Sequence, residues 1–288
     1  MALEQIELPP ELLQSGPESS KATSTSEPGI VDFGPPPASE VEEFTILGVM
    51  DCPICHNRGT VIRRDEHGYL VGSQCECMAK RRSILRLRRS GLQDMIGRYT
   101  FEAFQELEPW QTKAKEIARQ YAAERKGWFL AAGSVGAGKT HLCTAICAEL
   151  IAAGIDTRYM LWRDEATRAK AVVGKDEEAY TAIVTPLKEV QALYIDDLFK
   201  TGREKDRFGN MQSMTPSPGD LNLAFEILNS RYNDSSKLTI ISTELGIEDL
   251  MEIDTAIGSR IYERSKGHRL LLRDKPNWRI GDHDEETI

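Results

Sequence analysis

No apolar run in this chain of 288 residues approaches the roughly 18 needed to cross a bilayer. Its first residues have neither the basic start nor the apolar centre of a secretory leader, so a cytoplasmic protein is expected. Disulfides are then not expected either, and the six cysteines read as thiols or metal ligands. No internal repeat is visible. Positive charge is scarce in one region only. Residues 1–51 hold ten acidic side chains against Lys21 alone, which accounts for the whole formal charge of −9 and leaves the remainder balanced. The acidic total therefore does not exclude nucleic acid, for which a local basic patch is enough.

The composition divides the chain. Residues 1–44, with Pro9-Pro10, Ser19-Ser20 and Pro35-Pro36-Pro37, lack the apolar content for a core and read as a disordered acidic tail. Residues 45–79 read as a zinc-binding module. Cys52-Pro53-Ile54-Cys55 precedes Cys75-Glu76-Cys77, and four thiolates in two close pairs match tetrahedral Zn²⁺ coordination of a structural kind. The second pair has one intervening residue instead of two, which leaves His56 or His67 open as a replacement ligand. Residues 80–98 read as a basic helical linker. Its Lys80–Arg89 stretch has six basic residues in ten, suited to DNA phosphates, to an acidic protein surface, or to a solvated helix face. The aromatics that would stack single-stranded bases are absent there.

Residues 99–288 carry the strongest signal. Gly133-Ser134-Val135-Gly136-Ala137-Gly138-Lys139-Thr140 fits G-x-x-x-x-G-K-[ST]. A buried strand over 127–132 leads in, and a helix over 140–152 leads out. This loop cradles nucleotide phosphates on backbone N–H groups at a helix N-terminus. Lys139 would meet the β/γ-phosphates, and the Thr140 hydroxyl would bind Mg²⁺. Strands are expected at 157–162, 192–197, 238–243 and 269–273, and helices at 164–173, 220–233 and 255–264. The strands are continuous apolar runs, as in a parallel sheet covered on both faces. Residues 200–219 read as an exposed loop without helix or strand.

Leu193-Tyr194-Ile195-Asp196-Asp197 delivers two carboxylates to the sheet edge beside the phosphate loop. Asp196 is the natural Mg²⁺ partner, and Asp197 is placed to orient or deprotonate the attacking water. Thr243 or Ser242, at the tip of the next strand, would hold that water. Arg260 and Arg264 lie one turn apart on a helix. They are either ordinary surface arginines or contacts to a neighbouring subunit's γ-phosphate, worth ~10³–10⁵ in rate where measured. Cys143 and Cys147 fall among Leu142, Ile146 and Leu150 and read as core.

Taken together, these residues resemble the bacterial and phage DnaC/DnaI-type replicative helicase loaders, AAA+ ATPases related to the IstB-like ATP-binding proteins. The matching pieces run from about 50 to 273. They are the Cys-Pro-Ile-Cys and Cys-Glu-Cys pairs, the arginine-rich linker, Tyr99-Thr100-Phe101-Glu102-Ala103-Phe104, the phosphate loop, Tyr194-Ile195-Asp196-Asp197-Leu198-Phe199-Lys200, Arg231-Tyr232, Ile241-Ser242-Thr243-Glu244 and Gly258-Ser259-Arg260-Ile261. The resemblance implies an α/β AAA+ core with a central parallel five-stranded sheet and a truncated or absent lid. It implies Arg260 as leading arginine finger with Arg264 second. Tyr99 would lie near the adenine, with His141 beside the loop. The zinc module would bind the hexameric replicative helicase. The ATPase domain would bind single-stranded DNA and self-associate with ATP, and hydrolysis would be weak without a partner. The tip of the fourth strand lacks the usual Asn, which bears on the hydrolysis rate. A transposition helper acting on duplex DNA and a nucleotide-gated zinc adaptor with little turnover are the alternative readings.

Overall fold

The computed structural model describes residues 52–56, 58–79, 81, 93–200, 203–205, 211–213 and 215–278. The expected acidic tail and most of the basic linker lie outside the described residues. Two strands, β1 (Thr60–Arg64) and β2 (Leu70–Gln74), form an antiparallel hairpin pairing Thr60 with Gln74 and Arg64 with Leu70. Asp65 accepts hydrogen bonds from the His67 and Tyr69 N–H groups and closes the turn.

After the short helix α1 (Gln93–Ile96) comes α2 (Pro109–Glu124). Pro109 begins α2 where its missing N–H costs nothing. Gln111 Oε1 accepts from the Glu108 N–H at 2.7 Å. The core then alternates strand and helix: β3 (Trp128–Gly133), α3 (Lys139–Ala152), β4 (Thr157–Leu161), α4 (Trp162–Val172), α5 (Glu177–Glu189) and β5 (Ala192–Asp196). A small antiparallel pair, β6 (Arg203–Lys205) and β7 (Met211–Ser213), follows. The chain continues with α6 (Pro218–Tyr232), β8 (Leu238–Thr243), α7 (Ile247–Ile253), α8 (Thr255–Arg264) and β9 (Arg269–Leu272).

Five strands form one parallel sheet in the order β4-β5-β8-β3-β9. Every residue of β3, β5 and β8 is buried, as the unbroken apolar runs required. Successive side chains point to opposite faces. Phe129, Ala131, Tyr194 and Ile240 therefore pack on one side with α2 and α3. Trp128, Leu130, Leu193, Ile195 and Ile241 pack on the other with α4 to α8. The order carries the chain from β3 past two strand positions to β4. The carboxyl ends of β3, β5 and β8 consequently meet at one edge, where open parallel sheets bind ligands.

The structure corrects the sequence expectation over 200–219. That stretch is not structureless, because β6 and β7 pair Arg203 with Ser213 and Lys205 with Met211. Three-residue strands give too little alternation to register against the Gly, Pro and Ser around them. Helix α5 also went unrecognised. Pro186 inside it reads as a breaker, but Asp176 caps the start by accepting the Ala179 N–H at 2.9 Å, and burial of Val184 and Leu187 holds the helix down.

Candidate nucleotide site

The loop between β3 and α3 is built for close approach. Gly133, Gly136 and Gly138 all have positive φ, a region that side chains with a Cβ avoid. A Cβ on Gly138 would stand 2.8 Å from Phe104 Cε2, so a side chain is excluded sterically as well as torsionally. Gly138 caps α3 without a side-chain hydrogen bond, and no acidic residue occupies the first turn. The helix thus presents its N–H groups to an anion.

Lys139 folds back over the loop. Its Nζ donates to the Gly133 and Ser134 carbonyls, each at 2.8 Å. Burial pulls its pKa below the ordinary lysine value, while the charges of Glu244 and Asp197 act in the opposite direction. Thr140 Oγ1 donates to Asp196 Oδ1 at 3.4 Å, so the two expected magnesium residues are adjacent.

Asp196 is fixed from several sides. Tyr194 donates to its Oδ1 at 2.6 Å and Tyr159 to its Oδ2 at 3.1 Å. The Ser242 hydroxyl also donates to Oδ1. Two of these donors stand on β4 and β5 and one on β8, so the sheet itself aims the carboxylate. Both tyrosine hydroxyls are pushed up in pKa, chiefly by burial; the Asp196 charge adds to this at Tyr159, and Cys143 and then Asp196 add to it at Tyr194, so both stay donors.

After Asp196 the backbone turns sharply. Asp197 and Phe199 both have positive φ, at 55° and 60°, which is strained for residues with side chains. The turn is held by burial of Leu198 and Phe199, by the Leu198 N–H on the Ser242 carbonyl at 2.8 Å, and by Trp162 packing edge-on to Phe199. Asp197 N–H donates to Ser242 Oγ at 2.9 Å. Thr243, expected to hold water, has its hydroxyl engaged elsewhere: it donates to the Leu198 carbonyl at 2.9 Å and accepts the Leu245 N–H at 3.1 Å.

Lys139, Thr140, Asp197, Lys200 and Glu244 line one cavity beside the loop, together with the aromatic rings of Tyr99 and Trp278. His141, also in its wall, stacks 4.9 Å from Tyr99 and meets Phe104 edge-on at 5.1 Å. Burial lowers the His141 pKa, and its Nε2 donates to the Thr100 carbonyl at 2.7 Å as neutral imidazole.

No protein-family model matches the chain. XkdC of the phage-like element PBSX in Bacillus subtilis is 30% identical over 233 residues, 77% of this chain and 82% of that protein. The replicative helicase loader DnaC of Escherichia coli is 29% identical over 113 residues, 38% of this chain and 46% of DnaC. The chain belongs to the DnaC/DnaI-type helicase-loader family. A crystal structure of the DnaC helicase loader aligns over 62% of this chain and 98% of that one, with TM-score 0.48 and 21% identity. Membership supports a role in replication initiation and agrees with the five-stranded parallel core of an AAA+ protein.

In this helicase-loader family member the four cysteines expected to hold zinc converge. The sulfurs of Cys52, Cys55, Cys75 and Cys77 all lie within 4.8 Å of one another, and all four residues are buried. Cys52 Sγ and Cys75 Sγ are 3.7 Å apart, and Cys55 Sγ and Cys77 Sγ 3.5 Å. Tetrahedral Zn–S bonds of about 2.3 Å require sulfur separations of about 3.8 Å, so the donor set fits Zn²⁺. Neither His56 nor His67 joins the cluster found among the described residues, and His67 is largely exposed. The one-residue spacing of the second pair works because β2 delivers Cys75 alongside Gly59, whose carbonyl accepts the Cys75 N–H at 2.8 Å.

Arg260 and Arg264 do not line the cavity. Arg260 Nη1 donates to the Ala256 carbonyl at 2.7 Å, and its guanidinium lies 5.1 Å from the Phe225 ring and 5.3 Å from the Tyr232 ring. Arg264 Nε and Nη2 are buried without an acceptor among the described residues. The sequence reading gave no role to the tyrosines that hold Asp196, to Lys200 and Glu244, or to Trp278. Of these, Lys200 alone carried a usable signal, three residues after Asp197 in a tight turn.

Proposed function

We propose that this protein is an ATP-dependent loader of the ring-shaped replicative helicase. The observation that carries the reading is the convergence of the glycine loop, Thr140 and Asp196 on one sheet edge, in a chain of this family. The loop N–H groups and the α3 N-terminus receive the phosphates. Lys139 exchanges the Gly133 and Ser134 carbonyls for the β- and γ-phosphate oxygens. Tyr99 and His141 stand beside the base.

Thr140 and Asp196 would hold Mg²⁺, which supplies positive charge between the β- and γ-phosphates. Asp197, at the turn after β5, orients the attacking water. Arg260, with Arg264 behind it, completes a neighbouring copy's site when ATP drives self-association. The zinc module grips the helicase, and the ATPase domain contacts single-stranded DNA. Hydrolysis releases the loader.

The test measures ATP turnover with and without single-stranded DNA and helicase, alongside the mass of the protein–helicase mixture. Wild type is expected to turn over ATP faster with its partners and to form a complex with the helicase. Lys139→Ala should bind no ATP at millimolar concentration. Normal ATP binding by that variant, or no complex between wild type and any replicative helicase of its host, sinks the reading.

A further inference from the structure

Lys200 is a built feature of the nucleotide cavity without a structural task that requires it. Its Nζ bridges two carboxylates, Asp197 Oδ2 at 2.9 Å and Glu244 Oε1 at 2.8 Å. Its side chain is 42% exposed, so the ammonium is not buried for packing. The turn that presents it is expensive. Two residues with positive φ flank Leu198, and both Leu198 and Phe199 are driven into the core. That conformation sends Asp197 and Lys200, three positions apart, into the same cavity as Lys139 and Thr140. Lys200 N–H closes the turn on the Asp197 carbonyl at 2.9 Å. Strain of this sort persists where it serves a site.

The charge arrangement calls for such a cation. Asp197 and Glu244 line the cavity beside Lys139 where the end of a triphosphate would lie, and two carboxylates repel it. The single charge of Lys139 does not offset both. Both ion pairs of Lys200 are partly solvated, and exposed pairs contribute little, about 0–1 kcal/mol, so they are exchangeable.

We propose that Lys200 is the γ-phosphate contact of this site and determines its preference for ATP over ADP, leaving Asp197 and Glu244 to pair with the phosphate. The proposal rests on the nucleotide-binding reading above. Release of Asp197 from Lys200 also frees that carboxylate to orient water, so binding of the full triphosphate is coupled to readiness for hydrolysis. ADP does not reach the ammonium and leaves Asp197 paired.

The experiment titrates the full-length, metal-loaded chain with ATP and with ADP, each with Mg²⁺, by calorimetry. Wild type is expected to bind ATP more tightly than ADP. Lys200→Ala should weaken ATP by roughly tenfold or more, as loss of a charge-assisted hydrogen bond does, with ADP unchanged within about twofold. Lys200→Gln keeps the side-chain length without the charge and should behave alike, which guards against a misfolded alanine variant. Lys200 acting only as a screen for the carboxylates is distinguished by the double variant Lys200→Ala/Glu244→Gln. Under the proposal its ATP affinity stays low. Recovery of ATP affinity in the double variant, or equal weakening of ATP and ADP in either single variant, overturns the proposal. Wild type that binds neither nucleotide overturns the nucleotide reading itself, and the proposal with it.

Discussion

Arg231 is fully buried, and no carboxylate accepts a hydrogen bond from it among the described residues. Its guanidinium instead donates to five carbonyls, those of Leu187, Lys188, Val190, Gln191 and Leu238, and to Thr239 Oγ1 at 2.9 Å. Three of those carbonyls end α5 or follow it directly, where a helix has no internal donors left. One arginine thus caps α5 and ties it to the starts of β5 and β8. Burial lowers its pKa to about 10, which still leaves it charged at neutral pH. Arg231→Ala strands several buried acceptors at ~1–3 kcal/mol each, and we expect a loss of about 3–5 kcal/mol in urea unfolding of the parallel-sheet domain. Arg231→Lys should recover part of this, because an ammonium has three donors and no planar fork. A loss below about 1 kcal/mol for the alanine variant rules out the capping role.

The contrast with Asp196 explains what the sequence could disclose. Asp196 ends an apolar run after a phosphate loop, and local pattern alone placed it. Arg231 lies in the last turn of a helix among other polar residues, and the sequence marked it only as a piece of the family resemblance. Its acceptors lie up to 44 positions away, and nothing local announces them. Lys200 sits between these cases. Its spacing from Asp197 is visible, but its direction depends on two strained torsions that only the folded turn displays.

Among elements, α7 and α8 are joined through the single residue Asp254, whose side chain accepts the Ile257 N–H at 2.9 Å and starts α8. The helices touch at Gly258. A Cβ there would lie 2.7 Å from Met251 N and 2.8 Å from Met251 Cα, and both are backbone atoms that cannot swing aside. The Gly-Ser-Arg-Ile run therefore needs its glycine for packing, and that close approach sets the height of Arg260 and Arg264 on α8. Two effects compete in Gly258→Ala. Helix propensity favours alanine by about 1 kcal/mol, and overpacking costs about 1–3 kcal/mol. With backbone on the far side, overpacking should win, and the variant should unfold at lower temperature than wild type in a calorimetric scan. A neutral or raised midpoint shows that the helices can part freely. The elements that were legible, β3, β4, β5, β8 and β9 with α3, α4, α6 and α8, were those with apolar runs or a clear start or stop, whereas α2 and α7 were not anticipated. Helix α5 and the β6–β7 pair were not, because Pro186 and short strand length hide their periodicity.

On the scale of the whole molecule, the chain relies on two different sources of stability. The region around the parallel sheet is held by two large apolar clusters, one on each face of the sheet. The cysteine hairpin has a core of Cys52, Cys55, Val61, Cys75 and Cys77, with Met78 half-buried against it. Strand β2 is exposed along its whole length, including Leu70 and Val71. One buried valine is too little apolar burial to order the hairpin by itself. Structural zinc sites in peptides contribute ~10–16 kcal/mol, far more than one valine, so we expect metal binding to be the main source of the hairpin's stability.

Without metal, burial raises the Cys75 thiol to about 11 and raises Cys77 as well, whereas Cys55 is lowered against its burial by the Gly59 backbone and the neighbouring thiols, so Cys75 and Cys77 hold the protons that zinc would have to displace. Zinc affinity therefore falls as pH falls, and acid favours release. We expect a strong chelator to release one zinc per chain and to make the four thiols reactive. It should abolish a non-cooperative or low-enthalpy transition while leaving the main unfolding transition and ATP binding intact. Lowering the pH from 8 to 6 should reduce the chelator concentration needed. Thiols that stay unreactive after chelation would show that the hairpin stands without metal. A main transition that collapses with metal loss would show that the two cores are one cooperative unit.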